Sequence, residues 1–161
     1  MVIAVGDRLP DATFRVMSPD GPVTRNIDDI FAGKRVVLFA VPGAFTPTCN
    51  NSHLPGFLTN LEGFKAKGID TIACTAVNDV FVLDAWSKST GAADKITFLS
   101  DGNGLFAKAL GLEHDGTPNG LGTRSRRYAM LVEDGVVKAL NIEDAAGKAE
   151  KSAAEALLAA L

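Results

Sequence analysis

Short apolar runs, separated by polar and glycine-containing segments, recur along most of this chain. Residues 35–41 form a continuous and largely β-branched run that ends at Pro42, and residues 69–76 and 96–100 form two more. Continuous runs of this length are typical of strands that are buried on both faces of a sheet. The pattern therefore predicts three central strands over these residues.

Segments that favour helices lie between these strands. Thr46 and Pro47 predict the start of a helix over residues 46–67, because threonine is a good N-cap and proline a good first residue. Pro55 should bend or interrupt this helix. Two further helices are predicted over residues 80–89 and 105–110.

The C-terminal third predicts a loop, a hairpin and a last helix. Residues 113–126 are polar and glycine-rich, as expected of a loop. Asp134-Gly135 is a hairpin turn signal between strands over residues 128–132 and 136–142. Ser152 and Glu155 have the spacing of a capping box, which would start a helix that extends to residue 161.

The predicted order of elements, β-α-β-α-β-α followed by β-β-α, defines a fold class. Alternation of strands and helices builds a parallel sheet, and the closing hairpin adds antiparallel strands. We therefore expect an α/β, thioredoxin-like fold with a central mixed sheet and helices on both faces. A chain of 161 residues fits one domain over residues 1–161, with residues 13–30 and 79–110 as additions to the basic plan.

Composition excludes several functional classes. Sixteen Lys and Arg against nineteen Asp and Glu give a net charge of −3, which does not favour nucleic-acid binding. No apolar run is long enough for a signal peptide or a membrane helix. Two cysteines and two histidines are too few for a disulfide scaffold or an obvious zinc site. We expect a cytoplasmic protein without a cofactor, a metal or a membrane partner.

Cys49 is the most informative single residue, since it falls in the first turn of a predicted helix. Free N–H groups and the partial positive charge at a helix start favour a thiolate over a thiol. The hydroxyl of Thr46, three residues earlier, is expected to donate to this sulfur or to a bound oxygen. Pro42 and Pro47 would stiffen the loop and shield the sulfur from water. The alternative on these residues alone is a small, buried apolar cysteine.

The string Pro42-Gly-Ala-Phe-Thr46-Pro-Thr-Cys49 resembles the active-site loop of peroxiredoxins, Pro-x-x-x-Thr-x-x-Cys, in the form of the type II, peroxiredoxin-5-like group. The resemblance covers about residues 5–161. Further segments similar to that group follow in the same order: residues 76–82, Trp86, residues 99–101 and residues 124–128.

The resemblance implies a thiol peroxidase that reduces hydrogen peroxide and organic hydroperoxides. Cys49 would be the peroxidatic cysteine, whose thiolate attacks the peroxide and becomes a sulfenic acid. Thr46 would bind the peroxide oxygens and Pro42 would shield the sulfur. Arg127 would hold the thiolate and stabilise the developing charge. Arg124 and Arg126 lie close by in the sequence and are alternative candidates for this role. Strand alternation alone does not decide among the three arginines.

The same resemblance raises the question of how the sulfenic acid is resolved. Some relatives carry a resolving cysteine near the C-terminal helix, but residues 143–152 contain none. Cys74 lies within a predicted strand, where a structural role is the simpler reading and a resolving role the alternative. The expected cycle therefore uses one cysteine and an external thiol, either glutathione with glutaredoxin or thioredoxin.

Several alternatives accompany this interpretation. His53 shares a helix face with Cys49, where a structural or loop-orienting role is favoured over a general base or a metal ligand. Phe45 is assigned to the core or to the interface of a homodimer, and Phe81 to packing, with an interface role as its alternative. A thioredoxin-like disulfide exchanger is disfavoured by the missing Cys-x-x-Cys motif. A redox sensor or chaperone-like partner switched by Cys49 oxidation is the second functional hypothesis.

Overall fold

The computed structural model of the chain, which describes residues 1–161, contains nine strands and six α-helices. A π-helical turn covers Cys49–His53 and a short 3-10 turn covers Thr117–Asn119. In chain order the elements are β1 (Thr13–Ser18), β2 (Gly21–Asn26), α1 (Ile27–Phe31), β3 (Arg35–Ala40), α2 (Leu54–Thr59), α3 (Leu61–Ala66), β4 (Thr71–Ala76), α4 (Val80–Ser89), β5 (Thr97–Ser100), α5 (Leu105–Leu110), β6 (Glu113–Asp115), β7 (Thr123–Ser125), β8 (Tyr128–Glu133), β9 (Val136–Ile142) and α6 (Ala154–Ala159).

A seven-stranded mixed sheet in the order β2-β1-β5-β4-β3-β8-β9 forms the centre of the molecule. The strands β3, β4 and β5 are parallel, while β8 pairs antiparallel with both β3 and β9. The three central strands were predicted from their apolar runs, and all three are confirmed. The predicted α/β, thioredoxin-like fold is confirmed as well.

Both faces of the sheet are covered, which explains the continuous apolar runs. On β3, Val37 and Phe39 point into one core, whereas Val36 and Leu38 point into the other. Helices α2, α3, α4 and α6 cover the first face, and α1 and α5 cover the second. Their principal buried contributions are Phe57, Phe64, Leu83, Trp86 and Leu157 on the first face, and Ile30, Phe31, Phe106 and Leu110 on the second.

The hairpin of β8 and β9 turns where the sequence predicted. Asp134 and Gly135 have φ values of 47° and 80°, which are the positive values that a two-residue type I′ turn requires. This turn fixes the register of β8, and β8 follows directly on Arg127. The hairpin therefore positions the arginine that the sequence singled out.

Two segments carry structure that the patterns did not assign. Residues 13–30 form the β1–β2 hairpin and the short helix α1, whose Asn26 and Asp29 make a capping box. Residues 113–126 were predicted to be a loop, and this was wrong at both ends, because β6 and β7 pair there as a separate two-stranded sheet. The strands of both segments are short and contain only two buried residues, Phe14 and Ser125, so they lack a strong hydrophobic pattern.

The predicted capping box of the last helix is also wrong. Helix α6 begins at Ala154 after the N-cap residue Ala153, and no side chain caps it. The Ser152 hydroxyl donates instead to Glu143, and Glu155 accepts a hydrogen bond from Asn60. Both side chains that the local pattern had assigned to the cap therefore form hydrogen bonds with residues outside the helix instead.

None of the helices has both the length and the apolar character needed to cross a membrane.

Candidate active site

Cys49 lies in the helical segment that follows β3, at the carboxyl end of the central sheet. The helix starts as predicted, since the N–H of Asn50 donates to the carbonyl of Thr46 at 2.8 Å. The turn at Cys49 is wider than an α turn, because the N–H of Leu54 donates to the Cys49 carbonyl five residues back. Pro55 follows this wide turn and has no N–H to donate, yet the helix continues through it. The interruption that was predicted at Pro55 lies at Asn60 instead, between α2 and α3.

Arg127 is the residue immediately before β8, and its side chain reaches the sulfur of Cys49. Its side chain is buried, and Nη2 donates to Cys49 Sγ at 3.1 Å. The carbonyl of Ala146 accepts from both Nε and Nη2, at 3.2 and 2.9 Å. Nη1 lies 3.0 Å from His53 Nδ1. No carboxylate pairs with this guanidinium, so Cys49 is the only group in contact with it that can become an anion.

The geometry separates Arg127 from the two neighbouring arginines. Arg124 donates to the carbonyls of Leu121 and Val77, at 2.8 and 3.2 Å. Arg126 donates to the carbonyl of Glu143 at 3.1 Å. Neither makes a hydrogen bond to Cys49, so the structure brings only Arg127 to the sulfur.

His53 is locked into one tautomer by its two contacts. Arg127 can only donate, so His53 Nδ1 accepts, and Nε2 carries the proton that is donated to the Ser152 carbonyl at 2.9 Å. Burial lowers the pKa of His53 from 6.5 to about 4, and the charge of Arg127 acts in the same direction. The imidazole is therefore neutral at pH 7, and its one ring lone pair is occupied. A general-base role is not available to it in this arrangement.

Thr46 and Pro42 lie in the loop between β3 and this helix. The Thr46 hydroxyl donates to the Gly43 carbonyl at 2.6 Å, which corrects the expectation that its proton points to the sulfur or to a bound oxygen. A hydroxyl has one proton and two lone pairs, so Thr46 keeps its acceptor capacity. Pro42 is buried, two residues after the end of β3.

Cys74 is fully buried in the middle of β4, in register with Phe39 on one side and Phe98 on the other. It belongs to the same core as Cys49, and both cysteines are free. Burial raises the pKa of the Cys74 thiol well above its ordinary value. Cys74 therefore stays a neutral thiol and is a poor nucleophile.

The aromatic residues near the site differ from the core assignments. Phe45 is 51% exposed and has a φ of 65°, and Phe81 is 65% exposed at the start of α4. Neither residue packs in the core, and the interface role that was the alternative for both stays a prediction. No cluster of three or more His, Cys, Asp or Glu side chains is arranged to hold a metal ion.

Comparisons with known proteins identify the family to which the chain belongs. A family model described as Redoxin matches residues 4–158. Peroxiredoxin-2E, chloroplastic, from Arabidopsis thaliana is 52% identical over 99% of this chain and 69% of its own length. Peroxiredoxin-2C from Oryza sativa subsp. japonica is 48% identical over 99% of this chain and 98% of its own. The crystal structure of reduced Prx3 in complex with H2O2 from Vibrio vulnificus has a TM-score of 0.93 and 49% identity, and the match covers 99% of each chain.

The family model defines the class, and the relatives define the group within it. The chain belongs to the redoxin family and, within it, to the type II, peroxiredoxin-5-like peroxiredoxins, which are thiol peroxidases. The family resemblance found in residues 42–49 is thereby confirmed.

Proposed function

We propose that this chain reduces hydroperoxides through Cys49 as the peroxidatic cysteine, with Arg127 as its activating group. The thiolate attacks the terminal oxygen of the peroxide, a sulfur–oxygen bond forms, and the oxygen–oxygen bond breaks. The leaving oxygen takes up a proton as water or alcohol, and Cys49 is left as a sulfenic acid. The observation that carries this proposal is the contact of 3.1 Å between Arg127 Nη2 and Cys49 Sγ.

Arg127 has one further hydrogen to offer. A guanidinium carries five N–H donors, and four are engaged by Ala146, His53 and Cys49. The remaining Nη1 hydrogen is free to donate to the leaving oxygen as negative charge develops on it. Such a contact stabilises the transition state more than the ground state.

Thr46 and Pro42 complete the proposed site. Because the proton of Thr46 is donated to Gly43, the hydroxyl oxygen acts as an acceptor for the O–H of a bound hydroperoxide. Pro42 offers no N–H and limits the access of water to the sulfur.

An external thiol completes the cycle in our proposal. The thiol attacks the sulfenic acid, which gives a mixed disulfide and water, and a second thiol then releases Cys49 as a thiolate with a new disulfide. Glutathione with glutaredoxin, or thioredoxin, supplies these thiols. Cys49 is fully buried, so a bulky thiol cannot reach its sulfur in this arrangement. The turn Cys49–His53 must therefore open before resolution.

A homodimer and a cytoplasmic location remain predictions of the same proposal. Phe45 and Phe81 are exposed aromatic side chains, and the loop of Phe45 is tied to the segment before α4 by the Ala44 N–H to Asn78 Oδ1 bond of 2.9 Å. Large exposed apolar side chains beside one another favour an interface. Sedimentation of the wild type and of Phe45→Ser tests the homodimer. The relatives include chloroplastic proteins, so localisation of the tagged chain tests the cytoplasmic prediction.

The experiment that tests the function is turnover of hydroperoxide with each reductant system. Cys49→Ser should abolish turnover, because the attacking sulfur is lost. Cys74→Ala is the matched control, since it removes the other buried cysteine, and its turnover should equal that of the wild type. Activity in Cys49→Ser, or loss of activity in Cys74→Ala with the fold intact, would contradict the one-cysteine cycle.

A further inference from the structure

Glu143 is a buried carboxylate that has no role in the reaction described above. It follows β9 directly, and its N–H donates to the carbonyl of Arg127 at 3.0 Å, so it lies opposite the arginine in the hairpin. The residue is 3% exposed. A buried carboxylate is costly unless it is fully hydrogen-bonded, so its partners indicate its role.

The partners of this carboxylate all come from one loop. Oε2 accepts from the N–H of Glu150 at 2.9 Å and from the N–H and hydroxyl of Ser152 at 2.8 and 2.6 Å. Oε1 accepts from the N–H of Lys151 at 3.0 Å. Although burial acts to raise its pKa, these hydrogen bonds hold the pKa of Glu143 below its ordinary value. The side chain thus closes residues 144–152, which we call the clamp loop, into a ring.

The clamp loop contains no helix or strand, yet it provides three acceptors at the active site. The carbonyl of Ala146 accepts two hydrogen bonds from Arg127, and the carbonyl of Ser152 accepts one from His53. The carbonyl of Gly147 accepts from the hydroxyl of Thr48, next to Cys49. The loop therefore contacts Arg127, its histidine partner and the cysteine helix at once.

We propose that Glu143 is a positioning residue for the peroxidase reaction, which acts by holding the clamp loop against Arg127 and His53. This inference rests on the role proposed above for Arg127. With the ring closed, the Ala146 carbonyl fixes Nε and Nη2 of the guanidinium, and this orients Nη2 toward Cys49 Sγ. With the ring open, Arg127 keeps its charge but loses its fixed direction.

Glu143→Gln tests this proposal with little change in shape. The amide keeps one acceptor oxygen but places an NH2 group against backbone N–H donors. Glu62→Gln is the matched control, because it makes the same change at an exposed carboxylate outside the clamp loop, which pairs only with Lys65. We expect Glu143→Gln to lower the second-order rate constant with hydroperoxide by about tenfold to a hundredfold. A rate constant equal to that of Glu62→Gln would overturn the proposal.

A double-mutant cycle with Arg127→Gln separates positioning from general damage. If Glu143 acts through Arg127, Glu143→Gln should cost little in a protein that already lacks the arginine. Equal losses in both backgrounds would overturn the proposal and leave the role of Arg127 intact. An unchanged rate in Arg127→Gln alone would instead refute the proposed role of the arginine, and the inference with it.

The pH profile of Cys49 alkylation gives a second readout, which a loss of stability alone does not move. The titratable groups around Cys49 are Arg127, His53 and Cys74, together with Glu143, whose charge acts on His53. Glu143→Gln should shift the midpoint of alkylation by iodoacetamide to higher pH. Ser152→Ala, which removes one of the four contacts, should cause a smaller shift in a protein that folds readily. An unchanged midpoint in both folded variants would overturn the proposal.

Discussion

The neutral state of His53 should make the stability of this protein depend on pH in a particular window. In the folded chain the imidazole is buried, and its Nδ1 faces a donor on Arg127, so protonation would bring two cations together. These conditions lower the pKa of His53 from 6.5 to about 4. In the unfolded chain both constraints are lost, and the histidine takes up a proton at its ordinary pKa.

The sign and size of the effect follow from proton binding. Between pH 6.5 and about 4 the unfolded state binds one proton more than the folded state, so the free energy of unfolding falls as the pH falls. Each pH unit in this window changes the free energy of unfolding by about 1.4 kcal/mol, so the full loss of stability is about 3 kcal/mol. Most of this loss should be complete at pH 4.5, before the lowered pKa of Glu143 begins to contribute.

Urea unfolding, followed by the fluorescence of the single tryptophan, Trp86, measures this dependence between pH 7 and pH 4.5. His53→Gln should lose less stability over this range than the wild type, whereas His114→Gln, which removes the other histidine, should behave like the wild type. Burial raises the pKa of Asp101, which acts in the opposite direction but is common to all three proteins. Equal pH dependence in the wild type and His53→Gln would show that the neutral His53 is not its cause.

Three further predictions concern the reaction itself. Arg127→Lys should lower the rate constant of hydroperoxide reduction by about a hundredfold to a thousandfold in stopped-flow assays, since lysine cannot reproduce the fork of donors; a wild-type rate would contradict this. Thr46→Val should raise KM for hydroperoxide while Thr46→Ser restores it, because only the hydroxyl is needed as acceptor; equal values for both variants would count against the role of Thr46. Oxidation of Cys49 should change the emission of Trp86, because opening of the Cys49–His53 turn breaks the bond of 2.9 Å from Trp86 Nε1 to Asn50 Oδ1; Asn50→Ala should remove most of that change, and an undiminished signal would argue against it.

The parts of the fold that could be predicted from the sequence are those with strong local causes. The run over residues 35–41 has no alternation because both of its faces are buried, and this is visible in the sequence. The turn at Asp134 and Gly135 needs two positive φ values, which few residue pairs adopt. The β1–β2 hairpin was missed because its exposed strands carry no such pattern.

The contacts of the site depend on partners that are far apart in sequence. His53 and Arg127 are separated by 74 positions, and nothing local in either segment indicates that one accepts from the other. Ser152 had a valid local pattern for a helix cap, but the carboxylate of Glu143, nine residues earlier, takes its hydroxyl. The resemblance in residues 42–49 and 124–128 singled out Cys49 and Arg127, whereas Glu143 and the clamp loop required the folded chain.

The most direct test of the account is the intact mass of the reduced protein after it is mixed with one equivalent of hydroperoxide and no reductant. We expect the gain of one oxygen atom, mapped to Cys49, in the wild type and in Cys74→Ala. Loss of two hydrogen atoms in the wild type would mean that Cys74 resolves Cys49 in a disulfide. An unchanged mass would contradict the assignment of Cys49 as the peroxidatic cysteine.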